Sequence, residues 1–156
     1  MADESITAPG LRDLEAELAE LEGPGRLAMA ARIKAARELG DLKENAEYHI
    51  AKEDQAHLET RIKRLRERLR SAVVVDASEA GAGAFGFGRT AEVLDVESAV
   101  RHTWTLVGAT EANLAEGRLS AMSPVGMALR DAAVGDTVRI DTPRGERTFR
   151  VERLVE

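Results

Sequence analysis

The sequence has no cysteine, which excludes a disulfide framework, a thiolate metal site and a redox pair. Aromatics are few: Tyr48, Phe85, Phe87, Trp104 and Phe149. A platform for stacking single-stranded nucleic acid wants several on one face. No apolar run approaches the roughly 20 residues of a membrane-spanning helix. Residues 1–10 lack the basic start and apolar core of a signal peptide, so a cytoplasmic location without membrane contact is expected. Nor is there a cationic excess. The formal net charge of −6 excludes coating nucleic acid by bulk electrostatics, which needs a clustered positive surface. Any contact with nucleic acid must be local or directed by a partner.

What is present describes a folded chain: 44% hydrophobic and 32% charged residues over 156 positions, enough for one ordinary domain or two small ones. Its character changes near Ser71. Before that point helix formers dominate. Leu11, Leu14, Leu18 and Leu21 keep one helical face apolar, and Met29, Ile33 and Ala36 resume the stripe. Ala51, Leu58, Ile62, Leu65, Leu69 and Ala72 form a second stripe at heptad positions, with polar Gln55 in the seam. Two stripes joined by a short break predict an antiparallel helical hairpin. Thr7 is placed to cap the first helix, with Pro9 in its first turn. Gly23-Pro24-Gly25 predicts a kink or short interruption, and the hairpin turn falls at residues 40–45.

After Ser71, β-type runs alternate with turn residues, at 72–75, 90–96, 100–107, 118–123, 137–141 and 147–154. Pro143-Arg144-Gly145 makes a hairpin of the last two. Residues 124–131 fit one short helix capped by Ser123, and the Ala- and Gly-rich stretch 77–88 reads as a flexible loop. The fold class is α+β, with a helical hairpin followed by a small, mostly antiparallel sheet domain.

The stretch richest in possible chemistry is Gly40-Asp41-Leu42-Lys43-Glu44-Asn45-Ala46-Glu47-Tyr48-His49, at the hairpin's far end. A first helix over residues 7–40 makes a rod of about 50 Å, long for so small a core. Asp41 and Glu44, three apart, converge if the tip holds a helical turn. Two carboxylates suit Mg²⁺ but leave its shell incomplete. The same acids at a helix junction are equally read as caps and solvated charge. His49, His57 and His102 lack zinc spacing. Gly81, Gly83, Gly86 and Gly88 lack the Lys-Ser or Lys-Thr of a phosphate loop. Arg61, Lys63, Arg64, Arg66, Arg68 and Arg70 cluster late in the second helix, as a solvated face or a surface for an acidic partner. Arg37, Lys43 and Lys52 lie nearer the acidic pair.

The run from Arg37 to Tyr48 closely resembles the tip signature of bacterial transcript-cleavage factors of the GreA/GreB family, in its GreA branch. So do Glu59-x-Arg61-Ile62, Ala72-Val73-Val74-Val75-Asp76, and Ser123-Pro124 followed by Ala128-Leu129 and Val134-Gly135-Asp136. The resemblance runs the length of the chain. It implies an antiparallel coiled coil over 1–75 and an FKBP-like domain over 76–156. It implies a partner, RNA polymerase, whose secondary channel the tip enters to stimulate 3′ cleavage of backtracked RNA, with dinucleotide or trinucleotide products. The acidic pair, Asp41 and Glu44, would help hold a Mg²⁺ shared with the polymerase. Arg37 and Lys52 match positions near the extruded RNA 3′ end, and the loop of Met122, Ser123 and Pro124 matches the surface that docks on the channel rim. Met122 stands where Asp or Asn is common. The factor would not be a free-standing enzyme, and no independent sequence-specific DNA binding is implied. A prolyl isomerase would need converging aromatics, and an inhibitory relative would have altered tip carboxylates.

Overall fold

The computed structural model describes residues 3–77 and 81–155. They separate into two compact units, one of residues 11–72 and the other of residues 3–10 together with the chain from Val73 onward. Against the expected division at 75 and 76, the boundary lies at 72 and 73, and the N-terminal segment joins the second unit.

The first unit is the helical hairpin: α1 (Ala8–Glu20), a π turn (Leu21–Gly25), α2 (Arg26–Arg37) and α3 (Ala46–Ser71). Leu14, Leu18, Ile33, Ala36, Ala51, Ile62 and Leu65 are its buried residues, all members of the two stripes. Ion pairs cross between its arms, and three of them run in opposite order along the chain. Arg32 meets Asp54 at 2.7 Å, Arg26 meets Glu59 at 2.8 Å and Arg66 meets Glu22 at 2.8 Å, with Arg61 on Glu17 at 2.6 Å. The arms are therefore antiparallel, and two members of the basic cluster, Arg61 and Arg66, are engaged inside the hairpin. These pairs are exposed, so they set register more than stability.

Gly23-Pro24-Gly25 does not break the helix. Proline cannot donate a backbone hydrogen bond, and its ring crowds the carbonyl four residues back. Widening one turn relieves both problems: the Arg26 N–H donates to the Leu21 carbonyl, five residues back, as well as to Gly23. The expected interruption is a π turn within a continuous rod.

The second unit holds a two-stranded sheet, β1 (Glu4–Ile6) with β2 (Ala72–Val74), and a five-stranded sheet in the order β5-β4-β3-β7-β6. Its strands are β3 (Thr90–Asp95), β4 (Val100–Val107), β5 (Arg118–Ser120), β6 (Thr137–Thr142) and β7 (Gly145–Val155), and only β4 and β5 run parallel. One short helix, α4 (Pro124–Leu129), packs near β6. Every other residue of β3 is buried, so one face of the sheet carries the core. β1 was not legible, because three residues are too few to show an alternation. Thr7 caps α1 as expected: its Oγ1 accepts from the Gly10 N–H at 3.1 Å. The Glu111 carboxylate in turn accepts from the Thr7 hydroxyl, from the Thr7 N–H at 3.1 Å and from the Gly108 N–H at 2.9 Å.

The reading of 77–88 as a flexible loop is overturned for its described part. Phe85 and Phe87 are buried in the core. The Phe85 N–H donates to Ala132 and its carbonyl accepts from Asp131, while Val134 donates to Gly83. Glycines let the backbone turn tightly here so that two phenylalanines can enter the core. Residues 78–80 lie outside the described residues. Among the described residues no helix is long and apolar enough to cross a membrane.

Candidate functional site

The hairpin tip is built by two helix ends. α2 stops at Arg37, and Gly40 adopts φ +131°, a conformation that strains any side chain. Residues 38–45 contain turns and no helical turn, so Asp41 and Glu44 do not meet through helical spacing. The Asp41 Oδ1 accepts from the Lys43 N–H at 3.0 Å, an Asx turn that folds the chain back two residues on. Asp41 and Glu44 both line one shallow recess with Leu39, Asn45, Ala46 and Glu47. The bond to Lys43 engages one Asp41 oxygen, and both Asp41 and Glu44 are exposed.

Asn45 starts α3. Its Oδ1 accepts from the Tyr48 N–H at 3.1 Å and caps the helix. Its Nδ2 also donates to the Ala36 carbonyl at the end of α2, a link across the tip that no local pattern announces. His49 reaches the Lys43 carbonyl at 3.4 Å. Arg37 and Lys34 in the last turn of α2 and Glu47 in the first turn of α3 complement the helix dipoles.

The cations assigned to RNA are exposed but do not act as a pair. The Arg37 guanidinium lies over the Tyr48 ring, 5.7 Å from its centroid, while the Lys52 Nζ donates to Gln55 along α3 at 2.8 Å. Leu39, Leu42 and Ile50 leave apolar surface exposed around the recess. Two carboxylates with hard oxygen donors fit part of a Mg²⁺ shell. Among the described residues no group of three or more His, Asp or Glu side chains is placed to hold a metal ion.

The second predicted site is the turn before α4. Met122 and Pro124 are exposed, and Met122 is 65% so. Ser123 is occupied otherwise: its Oγ donates to the Ser120 carbonyl at 2.7 Å and accepts from the Gly126 N–H at 3.0 Å. It holds the turn's shape, as its predicted capping role requires. Gly126, which sequence reasoning passed over, is needed for the same turn, because a Cβ there would sit 1.9 Å from the Ser120 carbonyl oxygen. Met127 is exposed as well.

The aromatics of the second unit are core residues. Trp104 and Phe149 lie 5.8 Å apart and His102 stacks on Trp104 at 4.5 Å, with Phe85 and Phe87 buried alongside.

Comparison with known proteins agrees along the whole chain. Residues 4–74 match the family model for the transcription elongation factor N-terminal region, and residues 80–154 match that for the GreA/GreB C-terminal region. Among curated proteins, the transcription elongation factor GreA of Nautilia profundicola is 42% identical over 99% of this chain and 95% of its own. That of Rhodospirillum rubrum is 43% identical over 94% of this chain and 93% of its own. A solved structure, Gfh1 of Thermus aquaticus, is 28% identical, with full coverage of both chains and a TM-score of 0.43.

Proposed function

The chain belongs to the GreA/GreB family of transcription elongation factors, and from that premise we propose that it stimulates RNA cleavage within a backtracked RNA polymerase. In this reading the hairpin enters the secondary channel, and the reaction takes place at the polymerase's own centre in the cytoplasm. The observation that supports the reading is the tip recess, which Asp41 and Glu44 both line at the end of the helical hairpin. Such an arrangement has little use in the free chain and much in a site that lacks two oxygen ligands.

Asp41 and Glu44 would hold a Mg²⁺ jointly with polymerase groups. When bound, the ion supplies Lewis-acid stabilisation and lowers the pKa of a ligating water. The protein's own part is positional: the Asx turn fixes Asp41, the helix cap fixes the backbone beside Glu44, and both present negative charge where a cation is to be held. The test is direct. Adding the protein and Mg²⁺ to a stalled, backtracked elongation complex should release short 3′ fragments and restore extension; failure to do so at saturating protein would defeat the reading.

Arg37 and Lys52 are assigned to the extruded RNA. A cation near a phosphate contributes only where that phosphate is present. Alanine at either position should slow cleavage more in deeply than in shallowly backtracked complexes, and the loss should shrink as salt screens the contact. Rates at two depths and two salt concentrations check this; equal losses at both depths would count against RNA contact. Arg37 should show the larger effect, because Tyr48 holds its guanidinium over the tip.

Docking is assigned to the exposed Met122 and Pro124 rather than to the Ser123 hydroxyl. Replacing both Met122 and Pro124 by Ala should raise the concentration for half-maximal cleavage and leave the saturated rate nearly intact, as for loss of uniform binding. A lowered plateau at unchanged apparent affinity would contradict a docking role.

A further inference from the structure

We propose that Asn45 is the positioning residue of the tip: its amide ties the two helices together and so fixes the spacing of Asp41 and Glu44. This rests on the reading of that pair as the metal-holding group. The two arms of the side chain do different things. The oxygen caps α3 through the Tyr48 N–H. The nitrogen donates to the Ala36 carbonyl in the last turn of α2, which also accepts from the Leu39 N–H at 3.2 Å. Ala36 is buried and Asn45 partly so, so the link is sheltered from water. It closes a loop whose interior holds Gly40, Asp41 and Glu44, and Gly40 is a backbone position with unusual freedom. Closing that loop at its base removes conformations in which the carboxylates point apart. A capping residue needs only an acceptor; a serine or threonine has one short hydroxyl arm, which cannot both cap α3 and reach Ala36, and an aspartate has no donor.

That difference makes the inference testable apart from folding. Asn45→Ser and Asn45→Asp keep an acceptor for the cap and lose the amide arm that reaches Ala36, whereas Asn45→Ala loses both. Two measurements are made on each variant as a full chain: backbone order parameters by NMR for the free protein, and a Mg²⁺ titration of cleavage on a backtracked complex at saturating factor. For Asn45→Ser, order parameters over residues 41–44 should fall from rigid values to below about 0.6, with the interior of α3 unchanged. The Mg²⁺ concentration for half-maximal cleavage should rise about tenfold, the usual scale for losing a group that orients a metal ligand. High Mg²⁺ should recover most of the rate. Asn45→Asp should show the same loosening of the tip. A wild-type tip and Mg²⁺ requirement in Asn45→Ser would overturn the proposal and leave Asn45 as a cap only. Should the wild-type protein itself stimulate no cleavage, the functional reading fails, and the order parameters alone then decide whether Asn45 holds the tip.

Discussion

Replacing Asp41 by Asn and Glu44 by Gln in the same chain should lower stimulated cleavage by roughly a hundredfold or more, the scale on which removing charge stabilisation at a reacting centre acts. Each change swaps a charged oxygen for a neutral amide of nearly the same shape. The Asx turn survives Asp41→Asn, because the amide oxygen of the new side chain can still accept from the Lys43 N–H. Polymerase binding, measured by competition with the wild-type protein, should therefore persist. The single variants should respond to added Mg²⁺, while backtracking depth should leave their losses unchanged. That pattern is the reverse of the one expected for Arg37 and Lys52. Full cleavage by the double variant would remove these residues from the mechanism.

The largest effect on stability is expected at Asp95. This carboxylate ends β3 almost wholly buried and pairs with Arg147 on β7, with the Ser98 N–H donating to its other oxygen. Burial alone pushes its pKa up; the Arg147 hydrogen bond and charge and the Ser98 contacts outweigh that and hold it below the ordinary carboxylate value. Asp95→Ala should destabilise the second unit by about 3 kcal/mol, the low end for breaking a buried pair, since Arg147 retains access to water. The sign of the pH dependence follows from the lowered pKa. The ionised form is favoured by folding, so its contribution is full above the unfolded value near 3.9 and is lost as pH falls through the lower folded value. Unfolding curves at neutral pH and below about pH 4 check this: the gap between wild type and Asp95→Ala should narrow on acidification. A gap that widened would show that the pair does not favour the charged form.

The helical hairpin was legible because its apolar stripes are long and regular, and the β-runs of the second unit because their flanks carry turn residues. Asp41 and Glu44 fall in the turn between the helices, where the break at 40–45 puts them, but the form of that turn was not legible. Helical spacing suggested a route for them to converge, and the chain instead has no helix over 38–45 and an Asx turn at Asp41. The remaining features share one physical cause, in that each depends on contacts distant in sequence. Phe85 and Phe87 sit among small residues that suggest mobility, and only their partners at 131–134 make that segment ordered. Gly126 is a glycine because of a carbonyl six residues earlier. Asn45 announces its cap locally, while its bond to Ala36 depends on the helix preceding the turn.

The π turn at residues 21–25 has a bearing on rotational phase along the hairpin. In the first arm the seam residues Leu11, Leu14, Leu18 and Leu21 are followed by Met29, eight positions on, and then by Ile33 and Ala36. The opposing seam of Ala51, Gln55, Leu58, Ile62, Leu65, Leu69 and Ala72 keeps its three- and four-residue steps throughout. One surplus residue in a plain α-helix would turn everything beyond it by about 100°, carrying Ile33 and Ala36 off the face they share with α3. The wide turn swallows that residue and returns the stripe to its bearing before the tip is reached. Pro24 and the surplus residue are thus one feature seen twice. Pro24→Ala alone leaves the count, and so the need for the wide turn, unchanged, whereas deleting Gly23 together with Pro24→Ala restores an ordinary helix with the same residues facing α3. The aim of Asp41 and Glu44 is set in part by a count of residues made far back along the arm that carries them.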